Sequence, residues 1–108
     1  MRSGTASIDF KLLFAKGRRF ESALFRIVAR KNELASSRFA FVAPKLSSGS
    51  AVKRNRVRRQ AKEWVRKNLP LTPKPVDLAV VFKKEAFASE RKKFYEELAS
   101  SIHRALSS

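Results

Sequence analysis

The stretch Ala51-Val52-Lys53-Arg54-Asn55-Arg56-Val57-Arg58-Arg59-Gln60-Ala61-Lys62-Glu63-Trp64-Val65-Arg66-Lys67-Asn68 carries eight Lys or Arg against a single acid, Glu63. It contains no Gly or Pro, and Arg, Lys, Gln, Ala and Glu are strong helix formers. Ser50 reads as the N-cap and Pro70 as the stop, so a helix is predicted over 51–68. Val57, Ala61, Trp64 and Val65 fall at i, i+4, i+7 and i+8, the spacing of one buried helix face. Arg54, Arg58 and Lys62 form a stripe along one edge of that face, and Asn55, Arg56, Arg59 and Arg66 fill most of the remaining arc.

Like charges one turn apart repel by a few tenths of a kcal/mol per pair, so a helix of nearly one sign needs a reason. A merely solvated face usually mixes Glu with Lys. A nuclear-localisation run rarely carries a periodic apolar face with a Trp. A one-sign outer face backed by a core-facing stripe is the pattern of a helix that docks onto a polyanion.

The whole chain agrees. At 108 residues it is expected to form a single domain over 1–108, large enough to bury one core without metal or disulfide. Apolar residues make up 44%, nine Phe are many for the length, and the formal charge is +16 with a pI near 11.4. Such a field calls for a nucleic acid or an anionic membrane as partner. A membrane-surface helix would want large apolar residues facing lipid, whereas 51–68 offers a modest face suited to a protein core, so no membrane partner is expected. There is no Cys, which excludes disulfides and Cys-based zinc. The start, MRSGTASIDF, lacks the apolar segment of a signal peptide and no run reaches membrane-spanning length; a cytoplasmic protein is expected.

Residues 1–6 are small and polar and are expected to be disordered. From Ser7, a candidate N-cap, SIDFKLLFAKG reads as a short helix with Phe10, Leu13 and Phe14 on one face and Gly17 as its C-terminal stop. The Phe10/Phe14 pair can be core, or a stacking surface for single-stranded bases. Residues 18–30 contain ESALFRIVAR (21–30), which alternates as a strand does, with Ala23, Phe25, Ile27 and Ala29 on one side and Leu24, Arg26, Val28 and Arg30 on the other; three or four strands are expected in all. RFAFVAPK (38–45) reads as a second strand, paired with the first as an antiparallel hairpin. LPLTPKP (69–75) holds three prolines and is excluded from helix or central strand. VDLAVVF (76–82) is a continuous apolar run, expected of a strand buried on both faces. A last helix over 89–106 has Phe94, Leu98, Ile102 and Leu106 at i, i+4 spacing. The order α-β-β-(β)-α-β-α gives an α+β fold, a single-domain α/β sandwich around a mixed sheet.

Protein-based catalysis has no constellation here. His103 stands alone in the last helix and reads as a surface residue, and Asp9 and Asp77 sit at element starts, where capping accounts for them. There is no Cys, no Walker loop and only three Gly, so thiol nucleophiles and phosphate-cradling loops are out.

AVKRNRVRR (51–59) resembles the signature RNR helix of the bacterial ribonuclease P protein subunit. DFKLLFAKGRR (9–19) is similar to that family's first helix with its paired Phe and following Gly, RFAFVAPK to its second strand, and VDLAVVFK to its late buried strand. The four motifs stand in order over nearly the whole chain. The resemblance implies an α/β sandwich with a left-handed βαβ crossover. It implies a non-catalytic protein partner of a catalytic RNA that removes the 5′ leader of precursor tRNA with Mg²⁺ bound mainly by the RNA, and no DNA partner. Carried onto this sequence, it implies catalytic-RNA contacts at Lys53, Arg54, Asn55, Arg56, Arg59 and Lys45. It implies leader contacts at Phe10, Phe14, Arg58 and Lys62, joined by Phe25 or Val28. The chain departs from the family where Ala43-Pro44-Lys45-Leu46 replaces the usual Ser-Lys-Lys and where LSSGS lacks lysines.

The alternative is a basic ribosomal or other structural RNA-binding protein, which would not need an aromatic pair facing a cleft. A DNA-binding regulator using 51–59 as a recognition helix would want a preceding helix where two strands are predicted. A protein-only nuclease would need a carboxylate or histidine cluster.

Overall fold

A computed structural model describes residues 8–34, 36–44, 50–69 and 74–107. The elements are α1 (Phe10–Lys16), β1 (Arg18–Glu21), β2 (Phe25–Lys31), β3 (Arg38–Val42), α2 (Ala51–Asn68), β4 (Val76–Phe82), a 3₁₀ turn (Lys84–Phe87) and α3 (Arg91–Ser107). The four strands form one mixed sheet in the order β1-β2-β4-β3. β1 runs antiparallel to β2 and β2 to β4, whereas β3 and β4 are parallel neighbours joined through α2, a βαβ unit.

The stretch 18–30 holds two strands, β1 and β2, so the optional further strand of the expected order is present and the alternating stretch 21–30 is broken after Glu21. The chain reverses at Ser22, whose N–H donates to the Phe25 carbonyl at 2.9 Å and whose hydroxyl accepts from the Phe25 N–H at 3.1 Å. The expected β2–β3 hairpin does not form either, because β4 lies between them. The physical reason is burial. Leu78, Ala79 and Val80 are apolar in succession and all fully buried, so β4 occupies an interior position with neighbours on both edges.

Alternation along the strands divides the sheet into two faces. Phe25, Ile27 and Ala29 of β2 and Leu78, Val80 and Phe82 of β4 face α2 and α3, which close the larger core with Val57, Ala61 and Val65 and with Phe94, Leu98 and Ile102. Seven of the nine Phe pack on this side, four of them buried, with Phe25 edge-on to Phe82 and Phe94 at centroid distances of 5.6 and 5.3 Å. On the opposite face Val28, Ala40 and Ala79 are covered by Ile8 and by Leu13 of α1, with Phe14 packed alongside.

Smaller expectations also change. α1 is capped by Asp9, whose carboxylate accepts the Leu12 N–H at 3.1 Å; Ser7 and the segment 1–6 lie outside the described residues. Gly17 ends α1 in an extended conformation, not a left-handed one. Glycine is needed there for space, since a Cβ would come within 2.6 Å of the Leu13 carbonyl oxygen and 2.7 Å of Val28 Cγ1. The last helix starts at Arg91 because residues 84–87 form the 3₁₀ turn first. The loop 46–49 and prolines 70 and 73 lie outside the described residues. No helix among the described residues is long and apolar enough to cross a membrane.

Asp77 is no cap. It lies within β4 and accepts from Arg38 Nε at 2.7 Å, Arg38 Nη2 at 2.6 Å and Asn32 Nδ2 at 2.8 Å, tying β3 and the end of β2 to the central strand. Burial, the largest single influence, raises its pKa. The hydrogen bonds from Arg38 and Asn32 and the charges of Arg38 and Arg30 outweigh it, and the carboxyl rests below its ordinary value.

Candidate nucleic-acid interface

The basic helix forms as its sequence predicts. The Ser50 hydroxyl accepts the Lys53 N–H at 3.1 Å, capping α2 at the expected residue, and the Leu69 N–H closes its last turn on the Val65 carbonyl at 2.8 Å. Val57, Ala61 and Val65 are buried, and Trp64 is half-buried at the margin, its ring edge-on to the exposed His103 of α3 at 6.3 Å. That inner face fixes the rotation of the helix. Asn55, Arg56, Arg59 and Lys62 are consequently exposed, while Lys53, Arg54 and Arg58 are half-buried.

The one acid on the helix is already engaged. Glu63 accepts from Arg66 at 2.6 Å, and this hydrogen bond, then the Arg66 charge, hold its carboxyl below the usual range. Arg58 donates through Nη2 to Asn55 Oδ1 at 3.3 Å, whereas its Nε is buried with no acceptor among the described residues. A donor left in that state costs about 1–3 kcal/mol unless an incoming group or a rotation satisfies it. Lys45, also expected to meet RNA, lies outside the described residues.

On the other face, Phe10 and Phe14 stack one turn apart with centroids 6.2 Å apart and planes inclined by 22°. Phe14 is half-buried against the smaller cluster, and Phe10 is 39% exposed. They are the two Phe that the larger core does not take up. Phe25 and Val28, between which the sequence left the third aromatic position open, are both fully buried, on the α3 and α1 faces respectively. Neither presents a surface. The side chain that does emerge between them, Arg26, is ion-paired with Glu21 at 2.8 Å.

α1 and α2 cover opposite faces of the sheet, and α2 packs beside β3, the edge strand. Among the described residues no group of three or more His, Asp or Glu gathers.

A family model described as Ribonuclease P matches residues 5–106. The ribonuclease P protein component of Thermotoga maritima is 35% identical over 77 residues, covering 71% of this chain and 65% of that protein, so the chain spans just under two thirds of that relative's length. The corresponding component of Coxiella burnetii is 35% identical over 91 residues, covering 82% of this chain and 72% of its own. The solved structure of the RNase P protein from Thermotoga maritima superposes with a TM-score of 0.80 at 26% identity, covering 100% of this chain and 98% of that one.

Proposed function

The chain belongs to the bacterial ribonuclease P protein family, and we propose that it serves as the protein subunit of that ribonucleoprotein, acting in tRNA processing. The observation that carries the proposal is the outer face of α2, eight cations whose single acid is spent on Arg66. Such a face is built for phosphates, and binding to it is paid in released counterions.

In this reading Lys53, Arg54, Asn55, Arg56 and Arg59, with Lys45, contact the catalytic RNA. The stacked Phe10 and Phe14 receive bases of the single-stranded 5′ leader of precursor tRNA, and Arg58 and Lys62 hold its phosphates. Stacking accepts any base and phosphate contacts carry no sequence information, so leaders of different sequence are accommodated. The RNA would supply the groups that cleave the leader and would hold most of the Mg²⁺ that the reaction needs. The protein positions the leader and offsets phosphate repulsion in the assembled complex. The setting is cytoplasmic.

The test is cleavage of a precursor tRNA by the cognate catalytic RNA at low Mg²⁺, with and without the protein. Strong stimulation is expected. RNA binding without any stimulation would move the assignment to a structural RNA-binding protein.

A further inference from the structure

A second concentration of positive charge lies away from α2. Lys16 at the end of α1, Arg18 of β1, Arg30 and Lys31 of β2, and Lys74 before β4 line one groove of about 590 Å³. No acid lines it among the described residues. All five side chains are exposed, and Lys16, Arg18 and Lys31 take part in no ion pair among the described residues. Arg30 helps to lower the Asp77 pKa from a distance, but Asp77 is held by Arg38 and Asn32.

Part of this charge has a structural reason. Lys16 sits in the last turn of α1, and the last turn of α3 borders the groove through Ala105, Leu106 and Ser107. A helix C-terminus presents about half a negative charge. Lys16, Arg18 and Lys31 alone exceed what one or two such ends would balance. Ala29, Val76 and Leu106 line the same groove, so the site offers apolar contacts for a sugar or base beside its cations. Its volume suits a nucleotide unit. In the sheet order β1-β2-β4-β3 the groove lies by β1 and β2 under the end of α3, whereas α2 packs beside β3 at the opposite edge.

We infer that this groove is a second RNA-backbone site, taking a phosphodiester segment with its nucleoside against the apolar lining residues, separate from both α2 and the Phe10/Phe14 surface. The inference rests on the RNA-binding reading above. The groove adds an RNA contact at the sheet edge opposite α2, beyond the catalytic-RNA and leader contacts of the proposed function. The segment belongs either to the catalytic RNA or to the tRNA; the chemistry is the same.

The absence of cysteine permits a direct test. Ser107→Cys at the groove and, separately, Lys62→Cys on α2 each carry a tethered iron chelate that generates hydroxyl radicals in the assembled complex. Either RNA is end-labelled in turn. The expected result is discrete strand scission from the Ser107→Cys probe, in an RNA that the label identifies, retained when the substrate lacks a leader. Adding Arg18→Ala and Lys31→Ala should abolish those cuts and flatten the log–log salt dependence of binding by roughly 1.4–1.8, two contacts' worth. Circular dichroism of each variant checks that the fold is kept. Scission from the α2 probe alone would overturn the groove and leave the RNA reading standing. Groove cuts indifferent to Arg18 and Lys31, or present only with a leader, would also overturn it. Silence from both probes would remove the RNA reading and the groove with it.

Discussion

Helices α2 and α3 do the same structural work with opposite surfaces. They lie on one face of the sheet and bury their inner stripes in one core, Val57, Ala61 and Val65 from α2 and Phe94, Leu98, Ile102 and Ala105 from α3. Outside, α2 carries eight Lys or Arg and one acid, whereas α3 sets Arg91, Lys92, Lys93 and Arg104 against Glu96 and Glu97. The inner faces are constrained by packing and resemble each other. The outer faces meet no such constraint, and the one that carries self-repulsion is the one that the proposed function sets against a polyanion.

The comparison breaks most visibly through the core. Leu98→Ala on α3 should destabilise the protein by about 2–5 kcal/mol in urea unfolding, because the side chain is fully buried, while leaving RNA affinity unchanged under conditions where the variant is folded. A loss of affinity by the folded variant would mean that α3 also docks RNA. Trp64→Ala on α2 should cost less, about 2–3 kcal/mol, since the ring is half-buried and leans on His103 at the margin. A cost as large as that of Leu98→Ala would put the Trp in the core and shift the outer face of α2 with it.

Charge inside the sheet behaves differently from charge on α2, and pH separates the two. Asp77 has a folded pKa below its unfolded value, so its stabilisation is present above the unfolded pKa and is lost as pH falls through the folded one. Asp77→Asn should therefore cost about 1–2 kcal/mol near pH 6, and the gap to the parent protein should close in acid below about pH 4. A gap that stays constant with pH would mean that the Arg38–Asp77–Asn32 group acts through shape and not charge.

What could be read in advance follows the same division. α2 was legible from end to end because its cap, its period and its charge are local properties of neighbouring residues. The β4 run was legible because three successive buried positions need an apolar sequence. The break between β1 and β2 was not, since ESALF has no Gly, Pro or Asn and the reversal rests on the paired bonds between Ser22 and Phe25. Strand order was not legible either: Asp77 meets Asn32 and Arg38 across 45 and 39 residues, and nothing local announces those partners. At the site, alternation put Phe25 and Val28 on opposite faces correctly but could not show that both are covered. The groove cations, spread from residue 16 to residue 74, converge only in the folded chain.

The most direct test of the difference between the two helices removes the same charge from each. Binding of the catalytic RNA is followed across a salt series for Arg54→Ala/Arg59→Ala on α2 and for Lys92→Ala/Lys93→Ala on α3. The log–log slope should flatten by roughly 1.4–1.8 for the α2 pair, two phosphate contacts, and stay at the parent value for the α3 pair. Equal slopes for the two variants would contradict the assignment of α2 as the RNA-docking face.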